Sequence, residues 1–422
     1  MSEDRVDWLF LDLNSYFASV EQQLEPRWRG RPLAVVPVMT ETTCAIAASY
    51  EAKAFGVKTG TMIYEARKLC PDLVLAPARH DRYVEYHHKI IAEIDRHIPV
   101  ERVCSIDEVA CLLLGPQKRL AAAQDLARAI KRGLAENVGP CIRCSIGLAP
   151  NAFLAKVGTN LEKPDGLIAL TRDVLPGRLL DLELRDIPGI GRNMERRLRE
   201  AGVAGMAALW DQGPEDLRRI WGSVSGLRFH ALLHGRDLPE LETARRTVGH
   251  SQVLAPEMRV PDQTRLVVRR LTMKAASRLR RLDYSAAAVG FGLRFEDTRH
   301  AGGRWGGKLR VQRTQDSFLL LQAVEALWRR MLAETGAPGL RIQKVSVTLF
   351  ELLPQAETIP DLFPETTGGS AAHLTLSRVI DQINRRFGKD TVCLGAAPRA
   401  LASYTGTKIA FTRIPDLAEF RE

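Results

Sequence analysis

Residues 104–115, CSIDEVACLLLG, set Asp107 beside Glu108 in a run that otherwise reads as strand. Ile106 precedes the pair, and Val109 and Ala110 follow it. Adjacent carboxylates repel each other and resist burial, so few arrangements accommodate them here. Either the pair stands at a solvated turn, or it faces a cleft and holds a divalent cation. Oxygen ligands on rigid backbone are what Mg²⁺ requires. The second arrangement calls for a third carboxylate on a neighbouring strand. Asp12 is the candidate, near the end of the apolar strand WLFLDL (8–13), just before a helix that starts near Phe17. Two adjacent strands of one α+β domain would bring Asp12 to Asp107 and Glu108. Three carboxylates on such a pair are the minimum for a two-metal phosphoryl-transfer site.

The surrounding pattern is α+β. Short strands between 31 and 50 precede a helix from about Tyr50, and further helical segments span about 62–70 and 81–97. Residues 101–115 read as one strand, 117–137 as a helix, and CIRCSIGLA (141–149) as a strand. The helix NAFLAKVGTNLE then leads to the turn KPDG. Strands drawn from distant parts of the chain, covered by helices, make a domain of this class. From about Leu182 the pattern turns helical. LRDIPGIGRNMERRLREAG sets a Gly-x-Gly turn between two short helices. That is an ordinary helix connection or a phosphate site, since helix N-termini and successive backbone amides bind phosphate without reading bases.

The chain has 422 residues, enough for roughly three domains, and a formal net charge of +10. The surplus is local. Between Arg245 and Leu352 stand 20 Lys and Arg against 9 Asp and Glu, so the rest of the chain is close to neutral. Clustered positive charge points to a polyanionic partner. Within this segment the pattern runs strand (248–254), helix (262–282), strand (286–296), strand (305–314), helix (317–335), strand (341–352). This is the βαββαβ order of a ferredoxin-like split βαβ sandwich. Val289, Phe291, Leu293 and Phe295 alternate onto one face, which leaves the other to lie along a phosphate backbone.

No segment approaches the roughly 20 apolar residues of a membrane span. The opening MSEDRVDWLFLDLN is acidic and polar before a short apolar run, unlike a signal peptide. Seven cysteines scattered through apolar contexts suggest reduced thiols and a cytoplasmic location. Cys141 and Cys144 form a lone CxxC and read as structural. From Leu353 the tail begins with a Pro-, Gly- and Thr-rich connector. A helix follows with Leu376, Ile380, Ile383 and Phe387 on one face and Gly388 at its end, and then two short possible strands, TVCLG and TKIAF.

DLNSYFASVEQQL, SIDE, CSIGLAPNAFLAKVGTNLEKPDG and DIPGIGRNMERRL, in this order and spacing, resemble the signature segments of the Y-family translesion DNA polymerases. The resemblance covers about residues 6–352. It implies a right-hand polymerase with an α+β palm (1–20 and 80–170) and small fingers (21–79). It also implies a helical thumb with a helix-hairpin-helix (171–240), a linker (241–248) and a βαββαβ little finger (249–352). Residues 353–422 would be a connector with a small C-terminal module.

By the same resemblance, Asp12, Asp107 and Glu108 match the metal ligands, and Leu13 offers its backbone carbonyl to a metal. The cofactor implied is a pair of Mg²⁺ ions, with Mn²⁺ able to replace them. Phe17 matches the aromatic steric gate under the sugar; taken alone it reads as a core aromatic. Tyr50 and Lys163 match contacts to the incoming triphosphate. Lys53 stands where the family often has Arg, and a lysine, as a point charge, does not grip phosphate bidentately. Ala47 replaces a frequent hydroxyl residue and Asn14 a frequent Asp. The partners implied are primer-template DNA and deoxynucleoside triphosphates. IPDLFP in the tail resembles the peptides by which bacterial polymerases bind the sliding clamp, with Leu362 and Phe363 as anchors; a tether onto its own domain is the alternative. The expected activity is low-fidelity, template-directed nucleotide addition past damaged bases. A catalytically weak, polymerase-like DNA-binding subunit of a damage-response complex is the competing reading. A nucleotide cyclase with a similar palm would explain neither the Gly-x-Gly hairpin nor the basic sandwich.

Overall fold

Strand β1 (Trp8–Leu13) is apolar on both faces, with Leu9, Leu11 and Leu13 on one side and Phe10 on the other, all buried. Such a strand belongs in the middle of a covered sheet, and that is where it lies. The computed structural model describes residues 5–41, 43–241, 244–297, 301–336, 339–358, 371–388, 391–395 and 414. The chain divides into two compact units between Leu241 and residue 242.

In the first unit, α1 (Tyr16–Leu24) follows β1. A small sheet comes next, from β2 (Leu33–Val36), β3 (Ala47–Ala48) and, after α2 (Tyr50–Ala54) and α3 (Ile63–Leu69), β4 (Val74–Pro77). Its order is β3-β2-β4, and Ala34, Val36, Val57 and Ile63 fill a core of its own. Helix α4 (His80–Asp95) leads back to the larger sheet. That sheet takes β5 (Arg102–Val103), β6 (Glu108–Leu112), β7 (Cys144–Ala149) and β8 (Leu167–Ala169), with α5 (Leu120–Gly133) and α6 (Ala152–Leu161) between strands. The order is β5-β6-β1-β7-β8.

Residues 101–115, expected as one strand, form a hairpin instead. Arg102 pairs with Ala110 and Val103 with Val109. The amides of Cys104 and Ser105 both reach the Glu108 carbonyl, at 2.9 and 3.2 Å. Ser105 supports the reversal locally, its hydroxyl accepting from the Asp107 amide at 3.3 Å, as serine commonly does in turns. Helix α6 lies almost against β7 because both contribute glycine at the crossing. A Cβ on Gly147 would stand 1.9 Å from the Ala155 carbonyl oxygen, and one on Gly158 3.3 Å from the Gly147 Cα.

Four helices complete the unit: α7 (Arg192–Glu200), α8 (Met206–Trp210), α9 (Pro214–Trp221) and α10 (Ser225–Leu233). They close on Leu198, Leu209, Leu217 and Leu233, continuous with Phe10 and Leu154 of the sheet layer. The turn before α7 passes through Gly189 at φ 90°, a conformation that favours glycine.

The second unit follows the expected element order, with boundaries shifted by at most two residues. It runs β9 (Thr247–Val253), α11 (Pro261–Arg281), β10 (Tyr284–Phe295), β11 (Arg304–Thr314), α12 (Ser317–Thr335) and β12 (Ile342–Phe350). The strand order is β11-β10-β12-β9, all pairs antiparallel. Both split βαβ units are present, but the second and fourth strands hold the centre, where a ferredoxin-like sheet has the first and third. Both helices cover one face around Val289, Phe291, Leu293, Trp328 and Val347. A short β13 (Leu353–Pro354) adds to β10.

Helix α13 (Ala371–Phe387) docks on α11 and α12 by a face rotated from the expected one, which it shares at Ile380. Ile380 and Ser377 are buried, whereas Leu376 and Phe387 are 46% and 66% exposed. Polar anchors set this rotation. The Arg280 guanidinium donates two bonds to Asp381, at 2.7 and 2.9 Å, and His373 stacks on Phe318. Residues 391–395 (TVCLG) form bends rather than a strand, held by the Asn384 side chain through both polar atoms of the Val392 backbone. TKIAF, Leu362 and Phe363 lie outside the described residues.

Candidate active site

Asp12 is the register partner of Glu108 on β6 and of Ser145 on β7. Opposed residues on neighbouring strands point to the same face, so the Asp12 and Glu108 carboxylates share one. Asp107 sits in the hairpin turn just before β6, and its carbonyl accepts the Leu13 amide at 2.8 Å. Leu13 closes β1 beside Asp12. The backbone thus brings all three expected carboxylates to one end of the β1–β6 pair. Burial pushes the Asp107 carboxyl up to about 6, and the Asp12 and Glu108 charges add to the rise. The Ser105 hydroxyl opposes it, donating to Asp107 Oδ1 at 2.5 Å. Burial also raises Asp12, and Lys163 pulls it back.

Two lysines neutralise this end. Lys163 Nζ is 2.8 Å from Asp12 Oδ2, and Lys156 Nζ is 2.7 Å from Glu108 Oε2. Among the described residues, no three Asp, Glu, His or Cys side chains are clustered closely enough to hold a metal. Asp12 and Glu108 are nevertheless close enough to Asp107 for their charges to raise its proton affinity, and the Glu108 charge acts on Asp12 in the same direction. That is the electrostatic cost a dication offsets, and the donor set is all oxygen, as Mg²⁺ prefers.

Asn14 works here as an amide. Its Nδ2 donates to Ser145 Oγ at 3.0 Å, and its Oδ1 accepts the Asp165 amide at 2.8 Å. It therefore ties the turn that carries Lys163 to β7. A carboxylate at this position would lack the donor. Lys53 donates to Ser15 Oγ at 2.7 Å and stands over the Tyr50 ring, 4.3 Å from its centroid. Burial and the Asp12 charge push the Tyr50 phenol up to about 12. Burial, with the Lys163 charge second, lowers Lys53. Lys53, Tyr50 and Lys163 thus surround the turn that follows Asp12. Ala47 is buried in β3 and presents only a methyl group.

Phe17 is 4% exposed and lies flat on Tyr83, ring centroids 4.3 Å apart and planes 14° from parallel. Tyr83 is itself fixed. Its hydroxyl donates to Glu21 Oε1 at 2.7 Å, and its carbonyl accepts the Tyr16 hydroxyl at 2.6 Å. Glu21, fully buried, is paired with Arg79, whose Nε donates to it at 3.0 Å. A buried carboxylate needs such pairing.

Lys156 and Tyr83 carry parts of this arrangement that no sequence motif marks, and Asn14, noted above only as a departure from the family pattern, ties the Lys163 turn to β7. The signal for Lys156 was present in the two glycines that draw α6 onto β7.

In the second unit the sheet face away from the helices is basic. Arg294 pairs across strands with Arg304 and Lys344, giving a row of three exposed cations. The next row holds Gly306, Gly292 and Ser346, and the one after it Lys308, Gly290 and Thr348. Of the glycines between these cations, Gly306 is open, with nothing within 4 Å of where a Cβ would stand, whereas Gly290 is buried beneath the Phe350 ring. In the first unit, Arg192, Arg196 and Arg199 line an open concavity on α7 just after the Gly-x-Gly turn, together with Glu195 and Glu200, which pair with Arg199 and Arg196.

All seven cysteines are free thiols, including Cys141 and Cys144. No helix among the described residues is long and apolar enough to cross a membrane.

Residues 11–160 match the sequence model of the impB/mucB/samB family, and residues 245–362 match that of the family's C-terminal domain. DNA polymerase IV of Moorella thermoacetica is 32% identical over 393 residues, covering 91% of this chain and 94% of the relative. DNA polymerase IV 2 of Mesorhizobium japonicum is 30% identical over 441 residues, covering 98% and 97%. A solved Y-family DNA polymerase chimera of Dbh and Dpo4 shares the fold with a TM-score of 0.68 at 23% identity, covering 82% of this chain and 99% of that one. The chain belongs to the impB/mucB/samB family of Y-family DNA polymerases.

Proposed function

We propose that this protein is a low-fidelity, template-directed DNA polymerase that extends primers past damaged template bases in the cytoplasm. The observation that carries the reading is the cross-strand pair of Asp12 and Glu108 with Asp107 in the adjoining hairpin. In this reading the larger sheet, residues 1–20 and 80–170, is the palm, 21–79 the fingers and 171–240 the thumb. Residues 241–248 are the linker and 249–352 the little finger.

Asp12, Asp107, Glu108 and the Leu13 carbonyl would hold two Mg²⁺ ions, or Mn²⁺ in their place. Bound there, such ions lower the pKa of a 3′-hydroxyl and offset charge on a triphosphate. The remaining steps belong to the chain itself. Lys163, Lys53 and Tyr50 bind and orient the triphosphate beside Asp12. Phe17, braced on Tyr83, lies under the sugar and excludes a 2′-hydroxyl. The basic face of Arg294, Arg304 and Lys344 and the arginines of α7 follow the duplex by its phosphates. Leu362 and Phe363 anchor a clamp-binding peptide in the connector that leads to the C-terminal module.

The test is extension of a labelled primer on a defined template with Mg²⁺ and the four deoxynucleotides. The expected result is addition that follows the template base and stops with EDTA. Tight DNA binding without any extension would instead mark a non-enzymatic, polymerase-like subunit of a damage-response complex.

A further inference from the structure

Of the two residues between β1 and α1, the second is strained. Ser15 has φ 47° and ψ 44°, the left-handed region. Glycine enters that region freely, Asn and Asp with modest cost, and serine with more. Strain of this kind persists where the surroundings impose it, and it concentrates at working sites. Ser15 occupies the N-cap position of α1, where a serine hydroxyl ordinarily accepts a helix amide, yet its side chain caps nothing. The hydroxyl instead accepts the Lys53 ammonium at 2.7 Å.

Lys53 departs from the family's usual arginine. A lysine is a flexible point charge, and without a fixed fork it depends on its neighbours for position. Two neighbours provide it: the Ser15 oxygen on one side and the Tyr50 ring on the other. Lys163 lies near enough for its charge to act on Lys53. Two ammonium groups in a half-buried place oppose one another; Asp12, paired with Lys163, offsets part of that repulsion, and a bound polyanion would offset more.

We infer that Ser15 is a positioning residue for the triphosphate, its strained backbone aiming a hydroxyl that fixes Lys53 beside Lys163 and Tyr50. The inference rests on the polymerase reading above for the identity of the anion. It goes beyond that reading in assigning a role to a side chain that touches no reacting atom.

The test uses the full chain with Ser15→Gly, Ser15→Asn, Lys53→Ala and the double variant Ser15→Gly/Lys53→Ala. Equilibrium binding of a non-reactive α,β-imido analogue of dATP is measured beside steady-state primer extension. Ser15→Gly relieves the backbone strain, so its melting temperature should equal or exceed the parent's. Its analogue affinity should nonetheless fall by about tenfold, the lower end of the worth of a hydrogen bond to a charged lysine. KM should rise by the same factor, with kcat changed by less than about twofold. Ser15→Asn, which tolerates the left-handed region and offers an acceptor, should recover part of the affinity. In the Lys53→Ala background, Ser15→Gly should have no further effect, because the two residues act as one unit. Parent-like binding by Ser15→Gly, or additive losses in the double variant, would overturn the inference. A parent that binds the analogue but extends no primer would count against the polymerase reading alone, since the binding series reads Ser15 without turnover.

Discussion

Asp12 and Glu108 face each other across β1 and β6, and each gives a carboxylate oxygen to a different lysine, Lys163 at 2.8 Å and Lys156 at 2.7 Å. Like charges directly opposite on adjacent strands destabilise a sheet. Here each is offset by a cation from a separate element, the KPDG turn for Asp12 and α6 for Glu108. The apolar run around Asp107 and Glu108 is likewise no contradiction. The chain reverses at Cys104–Glu108, so Asp107 stands at the end of the sheet, not within it.

Acid should loosen the hairpin that carries Asp107. His87 on α4 is 3% exposed, and its Nδ1 meets the Ile106 carbonyl at 2.9 Å. Burial lowers its imidazole below the ordinary 6.5, with His88 acting in the same direction and the Ile106 bond against it. A histidine depressed in the folded state binds its proton more readily when unfolded. Its contribution to stability is therefore whole above 6.5 and is lost as pH falls toward the folded value. Melting temperatures between about pH 7 and about pH 5 should fall less steeply for His87→Gln than for the parent. Parallel curves would show that His87 takes no part.

Sugar selection should depend on Phe17. Replacing its ring should lower the ratio of dCTP to CTP incorporation by at least about tenfold. Phe17→Ala also removes a buried ring, at a stability cost of about 3–5 kcal/mol, so Phe17→Leu is the milder companion variant. An unchanged ratio in a folded variant would make Phe17 a core residue only.

The basic row should set the salt dependence of DNA binding. Each phosphate contact contributes about 0.9 to the slope of log affinity against log salt. Replacing Arg294, Arg304 and Lys344 together by Ala should therefore flatten the slope by up to about 3. An unchanged slope would place the DNA elsewhere.

Clamp dependence should reside in the connector. With Leu362 and Phe363 both changed to Ala, primer extension by the polymerase alone should continue, and stimulation by the sliding clamp should disappear. Stimulation that survives would move the contact to the exposed side of α13, where Leu376, Val379 and Phe387 stand open.

What the sequence disclosed depended on periodicity. Strict alternation fixed Val289 to Phe295 as a one-faced strand, and the element order of the second unit followed to within two residues. Alternation says nothing about which strands are neighbours, so the central places of β10 and β12 were not legible. The hairpin at Ser105 was hidden because apolar residues continue on both sides of it. On α13, Leu376, Ile380, Ile383 and Phe387 have helical spacing, but the ion pair of Asp381 with Arg280 outweighs it. At the site, Asp12, Asp107 and Glu108 stood out because carboxylates in apolar strands are costly. Lys156 did not, because a lysine on a helix is ordinary until the fold brings it to Glu108.

The most direct test separates chemistry from binding at Asp107. Single-nucleotide addition and primer-template affinity are measured for the parent and for Asp107→Ala with Mg²⁺ at saturating DNA. The prediction is loss of addition with DNA affinity within about twofold of the parent, because in the proposed reading the duplex is held through its phosphates by basic side chains and not by this carboxylate. Addition within about tenfold of the parent, only about 1.4 kcal/mol and too little for a lost metal ligand, would contradict it.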